Sequence, residues 1–401
     1  MSNSFPEIAI VNGARTPMGR YCGKLRDFTA MDLAALAAKE AMQRSGVEPA
    51  EIDHCVIGNA QQTSGDAIYG ARHVALKAGV PIEVPALTVN RLCGSGMQSV
   101  VTAAQMIQLG ESKMVLAGGM ESMSQAPHVI RGMRWGVGFG EGKLEDSLMA
   151  ALLDSYCGLY MANTAELYAE QQGITRQMQD EYALGSQQRA DAAYKAGRLQ
   201  QELTPVALRN RKGETTGEMF AEDDHRRPET TMESLAKLKP AFGKSGTVTA
   251  GNASGIVDGG AAVIVMPLDE AQKRSLKPLG RIVSWGVAGV EPKIMGSGPV
   301  PASKIALKKA GLTLDDLDLV EVNEAFAAQY LSVEKELGLD RSKTNVNGGA
   351  IALGHPLGAS GTRLLITLLY ELRRRKARYG LSTACIGGGQ GIAVIVENLQ
   401  R

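Results

Sequence analysis

Gln43-Arg44-Ser45-Gly46-Val47-Glu48-Pro49-Ala50-Glu51-Ile52-Asp53 stands before the apolar run Cys55-Val56-Ile57-Gly58. Far along the chain, Lys308-Lys309-Ala310-Gly311-Leu312-Thr313-Leu314-Asp315-Asp316-Leu317-Asp318 stands before Leu319-Val320-Glu321-Val322. Each stretch reads as a helix end, a glycine stop, a short acidic turn and a strand. The likeness continues outward from there. Gly94-Ser95-Gly96 opens a helical stretch with Met97, Val100, Val101, Ala104 and Ile107 on one face, and Ala359-Ser360-Gly361 opens another with Leu364, Leu365, Leu368, Leu369 and Leu372. Gly46 and Ser95 are 49 residues apart, as are Gly311 and Ser360. Residues 114–119 likewise parallel 381–388. A duplication on this scale predicts two similar α/β halves. Strand-helix alternation predicts mixed, largely parallel sheets covered by helices.

The middle of the chain breaks the pattern. Residues 121–244 are polar, Met-rich and irregular, with helical pieces at 162–170 and 175–196. Thr230-x-x-Glu233 reads as a capping box opening a helix over 232–238. The chain re-enters a core at Gly246-Thr247-Val248-Thr249-Ala250-Gly251-Asn252-Ala253-Ser254-Gly255 and a strand over 261–266. The expected division is therefore a first half of 1–120 plus 245–272, an inserted loop domain of 121–244, and a second half of 273–401.

Composition narrows the function. With 401 residues, 44% hydrophobic and 21% charged, the chain has the make-up of a soluble globular protein with more than one core. Lys plus Arg number 43 and Asp plus Glu 42. That balance argues against a nucleic-acid or membrane-surface protein, while leaving room for a local basic pocket around a phosphorylated ligand. Aromatics are only 4% against 47 glycines, which suggests tight turns and close backbone approaches. No apolar run is long enough to span a bilayer, and residues 1–10 read as neither a signal nor a transit peptide. The five cysteines are scattered without a CxxC pair, and the five histidines do not cluster with them. A disulfide framework and a metal site are not expected, and a reducing compartment is.

Four motifs carry the chemistry. In Asn90-Arg91-Leu92-Cys93-Gly94-Ser95-Gly96, Cys93 falls at a strand-to-helix turn after the strand-like 84–89. A helix N-terminus there lowers a thiol pKa and favours a nucleophilic thiolate, the alternative being a buried structural cysteine. His355, in Gly354-His355-Pro356-Leu357-Gly358, lies at the matching turn of the second half. It suits the role of base for Cys93, or that of a turn histidine bonded to backbone. Cys385-Ile386-Gly387-Gly388-Gly389-Gln390-Gly391 offers successive N–H groups for an oxyanion, or simply a tight turn with a packed cysteine. Asn323-Glu324-Ala325-Phe326 ends a strand, so Asn323 either orders a water or histidine or serves as a turn residue. Pseudo-symmetry sets these strand ends facing one another across a cleft. A nucleophilic Cys, a His base and a second Cys beside Gly N–H donors fit acyl transfer coupled to carbanion chemistry. The glycine clusters do not match a dinucleotide fingerprint, and a P-loop is absent.

At these residues the sequence resembles the thiolase family, over nearly the whole chain from Ala14-Arg15-Thr16-Pro17 to Gly391. The motifs Leu92-Cys93-Gly94-Ser95-Gly96, Asn323-Glu324-Ala325-Phe326, Gly354-His355-Pro356 and 385–391 are jointly specific. The related condensing enzymes of fatty-acid synthesis usually lack the second Cys and the Asn-Glu-Ala-Phe segment. The resemblance implies a five-layered αβαβα fold with a loop domain inserted in the first half, and homodimers often paired into homotetramers. It implies that Cys93 carries the acyl group and that His355 activates it. His355 would also help to hold the second thioester oxygen, together with a water on Asn323. Cys385 would move the α-proton, and the N–H groups of Cys93 and Gly387 would hold the acyl-enzyme oxyanion. The inserted region would bind coenzyme A (CoA). Arg227 would lie near the adenine and its phosphate, Ser254 near the pantetheine, and Phe242, Ala250, Met161, Met295 and Phe326 along the tunnel and acyl pocket. CoA would come and go as substrate or product, so no tightly bound cofactor is expected.

Arg373-Arg374-Arg375-Lys376 reads as a basic helix C-terminus rather than a phosphate site. Many short-chain biosynthetic thiolases carry His-Met-Gly before Thr-Ala-Glu, where this chain has Tyr160-Met161-Ala162-Asn163-Thr164-Ala165-Glu166. That segment looks closer to the mitochondrial-type 3-ketoacyl-CoA thiolases. The expected location is the cytoplasm for a bacterial source and the mitochondrial matrix for a eukaryotic one, with a β-oxidation complex as a candidate partner. Two competing readings are a ketoacyl-synthase type of condensing enzyme and an idle scaffold member of the fold.

Overall fold

The computed structural model describes residues 5–210, 212–243 and 245–400. Residues 1–4, 211, 244 and 401, which include ends of all three expected divisions, lie outside the described residues. The first half contributes strands β1 (Ile8–Arg15), β2 (His54–Asn59), β3 (Ala86–Val89), β4 (Val115–Glu121) and β5 (Val257–Pro267). The second half contributes β6 (Gly280–Gly289), β7 (Leu319–Val322), β8 (Tyr379–Ile386) and β9 (Gln390–Asn398). The helices that matter here are α1 (Ala30–Ser45), α2 (Gly70–Ala78), α3 (Ser95–Gln108), α4 (Met161–Gln172), α5 (Arg176–Lys195), α6 (Pro299–Ala310), α7 (Ala327–Leu337) and α8 (Leu357–Arg375).

The duplication read from the sequence is repeated in the strand pairing. In the first half the order is β1-β5-β4-β2-β3, and in the second it is β6-β9-β8-β7. Both run antiparallel, antiparallel, then parallel. The outer parallel strand β3 has its counterpart in a single bridge between Val320 and Thr344. The halves join where β1 pairs antiparallel with β6, Ile8 opposite Ile282 and Ile10 opposite Gly280. The expectation of largely parallel sheets is corrected, since most of the ladders are antiparallel. Parallel pairing needs a crossover, which only the strand-helix units supply. The turn between β8 and β9 is too tight for one, and it bends through Gly388 and Gly389 at φ 79 and 83.

Alternation along the strands builds the layers. Ala261, Val263 and Val265 of β5 face a central apolar cluster shared with α3 and α8, while Ala262, Ile264 and Met266 face α1 and α2. Ile392, Val394 and Val396 of β9 face the same central cluster, and Ala393 and Ile395 face α6 and α7. The order is helices, sheet, α3 with α8, sheet, helices: the αβαβα sandwich. Strands buried on both faces read as unbroken apolar runs. A helix packed between two sheets is buried all round, and every residue of α8 from 357 to 372 is buried. Room at the centre is scarce. A Cβ on Gly119 of β4 would lie 1.9 Å from the carbonyl oxygen of Gly358 in the first turn of α8.

Between β4 and β5 the chain leaves the sheet and forms short two-stranded pieces together with α4 and α5. Helix α5 is entered through Thr175, whose side chain accepts from the Met178 N–H. The expected capping box shifts by one residue. Thr231 is the cap, paired reciprocally with Ser234 over the shorter helix Met232–Ala236, while the Thr230 hydroxyl donates to the Arg227 carbonyl. Thr231 has the extended backbone that a cap needs, φ −130 and ψ 158. Strand β5 runs longer at both ends than the expected 261–266.

Candidate active site

Cys93 sits in a single 3-10 turn, Leu92–Gly94, between β3 and α3. Leu92 is held in the left-handed region at φ 45. The Asn90 side chain accepts from the Leu92 N–H at 2.9 Å, and the Ser95 hydroxyl accepts from the Arg91 N–H at 2.8 Å while donating to the Leu92 carbonyl at 2.7 Å. Such local bonds sustain a strained turn. They present Cys93 half-buried at the wall of a cavity of about 460 Å³.

Burial pushes the Cys93 thiol up to about 11; the N–H groups of Gly387 and of Cys93 itself pull the other way, and the nearby Glu121 charge adds to the rise. The expected thiolate is therefore corrected to a neutral thiol. Desolvation of a charged sulfur outweighs the partial charges at a helix start. Cys385, at the end of β8, is fully buried, and its thiol is pushed up by burial and next by Cys93.

His355 precedes α8, with its backbone N–H on the Gly255 carbonyl at 2.9 Å. Its Nδ1 lies 2.6 Å from Ser360 Oγ, and its Nε2 lies 3.3 Å from Asn323 Nδ2. Burial, and then the charge of Arg363, lower its pKa to about 3. The ring is neutral at physiological pH, with a lone pair to offer. Asn323 is buried one step behind the cavity, and its Oδ1 has no partner among the described residues.

The remaining sequence candidates line the same cavity: Gly387, Met161, Arg227, Phe242, Ala250, Ser254, Met295 and Phe326. Met295 packs with Ala325 and Cys385, flanked by Met161 and Phe326, at the cysteine end. The Phe242 ring lies 5.1 Å from the Tyr160 ring. The Ser254 N–H donates to the Ala325 carbonyl at 2.9 Å, which ties the re-entry segment to Asn323-Glu324-Ala325-Phe326. By contrast, Arg374 and Arg375 pair with Glu371 at the end of α8, away from the cavity.

Two side chains escaped the sequence reading. His225 lines the cavity beside Arg227, and burial followed by the Arg227 charge lower its pKa to about 4. Glu121, at the end of β4, accepts from the backbone of Ala60, Gln61 and Gly358 and from the Asn59 amide. Burial nonetheless pushes its carboxyl up to about 7. It fastens two strand ends of the first half to the turn that carries His355. No motif marked either residue; an acid directly after an apolar strand was the only available signal for Glu121.

The thiolase N-terminal domain family matches residues 8–269, and the thiolase C-terminal domain family matches residues 276–398. The chain is 55% identical to the human mitochondrial 3-ketoacyl-CoA thiolase over 98% of each chain. It is 50% identical to an acetyl-CoA acetyltransferase of Cupriavidus necator, covering 98% of this chain and 99% of that one. A crystal structure of the human mitochondrial 3-ketoacyl-CoA thiolase in complex with CoA superposes with a TM-score of 0.95 at 54% identity, over 98% of each chain. With both halves matched in order and the fold shared end to end, the chain belongs to the thiolase family.

Proposed function

We propose that this chain is an acyltransferase that catalyses the thiolase reaction, the CoA-dependent cleavage of a 3-ketoacyl-CoA and its reverse, the Claisen condensation of acetyl-CoA with an acyl-CoA. The observation that carries this reading is the meeting of two thiols and a neutral imidazole in the wall of one largely apolar cavity. In cleavage, His355 Nε2 takes the proton of Cys93 and the sulfur adds to the 3-keto carbon. The bond between C2 and C3 breaks, the acyl group stays on Cys93, and the enolate of acetyl-CoA takes a proton from Cys385. The thiol of a fresh CoA then gives its proton to Cys385 and adds to the acyl carbon; the bond to Cys93 breaks, the acyl group leaves on CoA, and the Cys93 sulfur takes back its proton from His355. The N–H groups of Cys93 and Gly387, which already face the sulfur, hold the oxyanion of the acyl-enzyme step. His355, with a water on Asn323, holds the enolate oxygen. Two cysteines with separate tasks spare one group from being both acyl carrier and acid-base.

CoA reaches these groups through the channel. Its phosphates meet Arg227, its pantetheine passes Ser254 and Ala250, and Phe242, Met161, Met295 and Phe326 enclose the thioester and acyl end. In this reading 121–244 is the inserted CoA-binding region between halves 1–120 plus 245–272 and 273–401. The relative named as mitochondrial supports a place in β-oxidation and the matrix, and the similar bacterial acetyltransferase keeps a bacterial enzyme as the alternative. A homodimer or homotetramer is proposed from the family alone.

The test is CoA-dependent loss of acetoacetyl-CoA and of a longer 3-ketoacyl-CoA, with Cys93→Ala as control. Activity on either substrate that vanishes in the variant supports the reading, and the ratio of the rates sets chain preference. No turnover of either substrate rejects it.

A further inference from the structure

We infer that Ser360 is a positioning residue that sets which nitrogen of His355 is the base. The inference rests on the reading of His355 as the group that takes the Cys93 proton. Ser360 lies in the first turn of α8, wholly buried. Its hydroxyl donates to the Pro356 carbonyl at 2.9 Å, and its Oγ is 2.6 Å from His355 Nδ1. A hydroxyl has one proton to give and lone pairs to accept with. With its proton on Pro356, Ser360 accepts an N–H from Nδ1, and Nε2 is left with the lone pair.

Asn323 cannot make this choice. Its Nδ2 stands 3.3 Å from Nε2, but its Oδ1 is buried and free of any partner among the described residues. A half-turn of the carboxamide would let Oδ1 accept an Nε2–H equally well. Asn323 therefore tolerates either tautomer, and Ser360 decides between them. Without the Ser360 oxygen, an Nδ1–H would be buried unpaired, which is costly. The proton would move to Nε2, where Asn323 can receive it. Nε2 would then be a donor, unable to take a proton from a neutral Cys93 thiol.

The experiment compares the wild type with Ser360→Ala, Ser360→Cys and His355→Ala in full kinetic runs of thiolysis. Ser360→Cys fills nearly the same space with a poor acceptor, so it separates packing from hydrogen bonding. The expected result is a fall in kcat on the order of 10²-fold in both Ser360 variants, with KM for CoA and for the 3-ketoacyl-CoA within about twofold of wild type. Acyl-enzyme formation on Cys93, followed by mass spectrometry in single turnovers, slows in step. Wild-type kcat in Ser360→Cys would make Ser360 a packing residue and overturn the inference, as would a rise in KM at constant kcat. If Ser360→Ala does not fold, Ser360→Cys alone decides. Full activity in His355→Ala would instead remove the base reading itself. An inactive His355→Ala beside unaffected Ser360 variants would remove only the role of Ser360.

Discussion

Arg15 and Asp223 meet in a two-pronged ion pair, Nη1 to Oδ1 at 2.7 Å and Nη2 to Oδ2 at 2.9 Å, with both side chains wholly buried. Arg15 ends β1, and Asp223 stands two residues before His225 and four before Arg227. The same guanidinium reaches Glu202 at 2.7 Å, and the Tyr194 hydroxyl donates to Asp223 at 2.6 Å. The stretch that brings His225 and Arg227 to the cavity wall is thereby pinned to the first half.

Removing Asp223 leaves a buried cation short of a partner. Asp223→Ala should lower stability by about 3–5 kcal/mol and raise KM for CoA, as its channel wall loosens. Its carboxyl is held below the usual range by Arg15, against the effect of burial. The stability it adds is therefore present above its unfolded pKa of about 3.9 and lost as pH falls through the lower folded value. Denaturant unfolding at neutral and acid pH measures both effects, and an unchanged midpoint at neutral pH would refute the first.

Cys93 should be a thiol in the free enzyme. Its pKa is raised to about 11, so the proton stays on through neutral pH. Thiolate absorbance, taken as wild type minus Cys93→Ala, should stay flat between about pH 6 and 8 and rise only in the alkaline range. A step below pH 8 would mean that a nearby positive charge outweighs burial.

Cys385→Ala should separate the two halves of the reaction. Acyl transfer to Cys93 should survive, while deuterium exchange at the methyl of acetyl-CoA should slow by about 10²–10⁴-fold. Exchange at the wild-type rate, followed by mass spectrometry, would take the α-proton away from Cys385.

Gly119→Ala should harm the fold from its centre. The new methyl would meet backbone, the Gly358 carbonyl at 1.9 Å, and no side chain can swing aside. The cost should exceed the roughly 1–3 kcal/mol usual for an overpacked core, since β4 and α8 must part. Thermal melting checks it: a wild-type melting temperature would show that the two can separate freely there.

Much of the site was legible before any coordinates. Motifs at strand ends are local, and a repeat of 49-residue spacing places like ends in like positions. The shift of the capping box from Thr230 to Thr231 was not legible, because both threonines carry a capping side chain and only the fold shows that Thr230 bonds the Arg227 carbonyl while Thr231 pairs with Ser234. Glu121 and His225 were missed for a related reason: Glu121 bonds Gly358 and His225 joins a cavity wall drawn from distant segments, and no short motif records such neighbours.

Sequence by itself determined the two-fold α/β plan and singled out Cys93, His355, Asn323 and Cys385 as the candidate reactive groups. Periodicity and residue chemistry are properties of neighbouring positions, so a linear text carries them. Tertiary structure alone decided the protonation of those groups and how they meet. A thiol that a helix start was expected to acidify is instead kept neutral, because Met123, Leu148 and Leu357, far apart in the chain, pack around it and withdraw it from water. An imidazole is held neutral by burial and Arg363, with Ser360 Oγ at its Nδ1. Desolvation depends on everything packed around a group, and only the folded chain brings those atoms together.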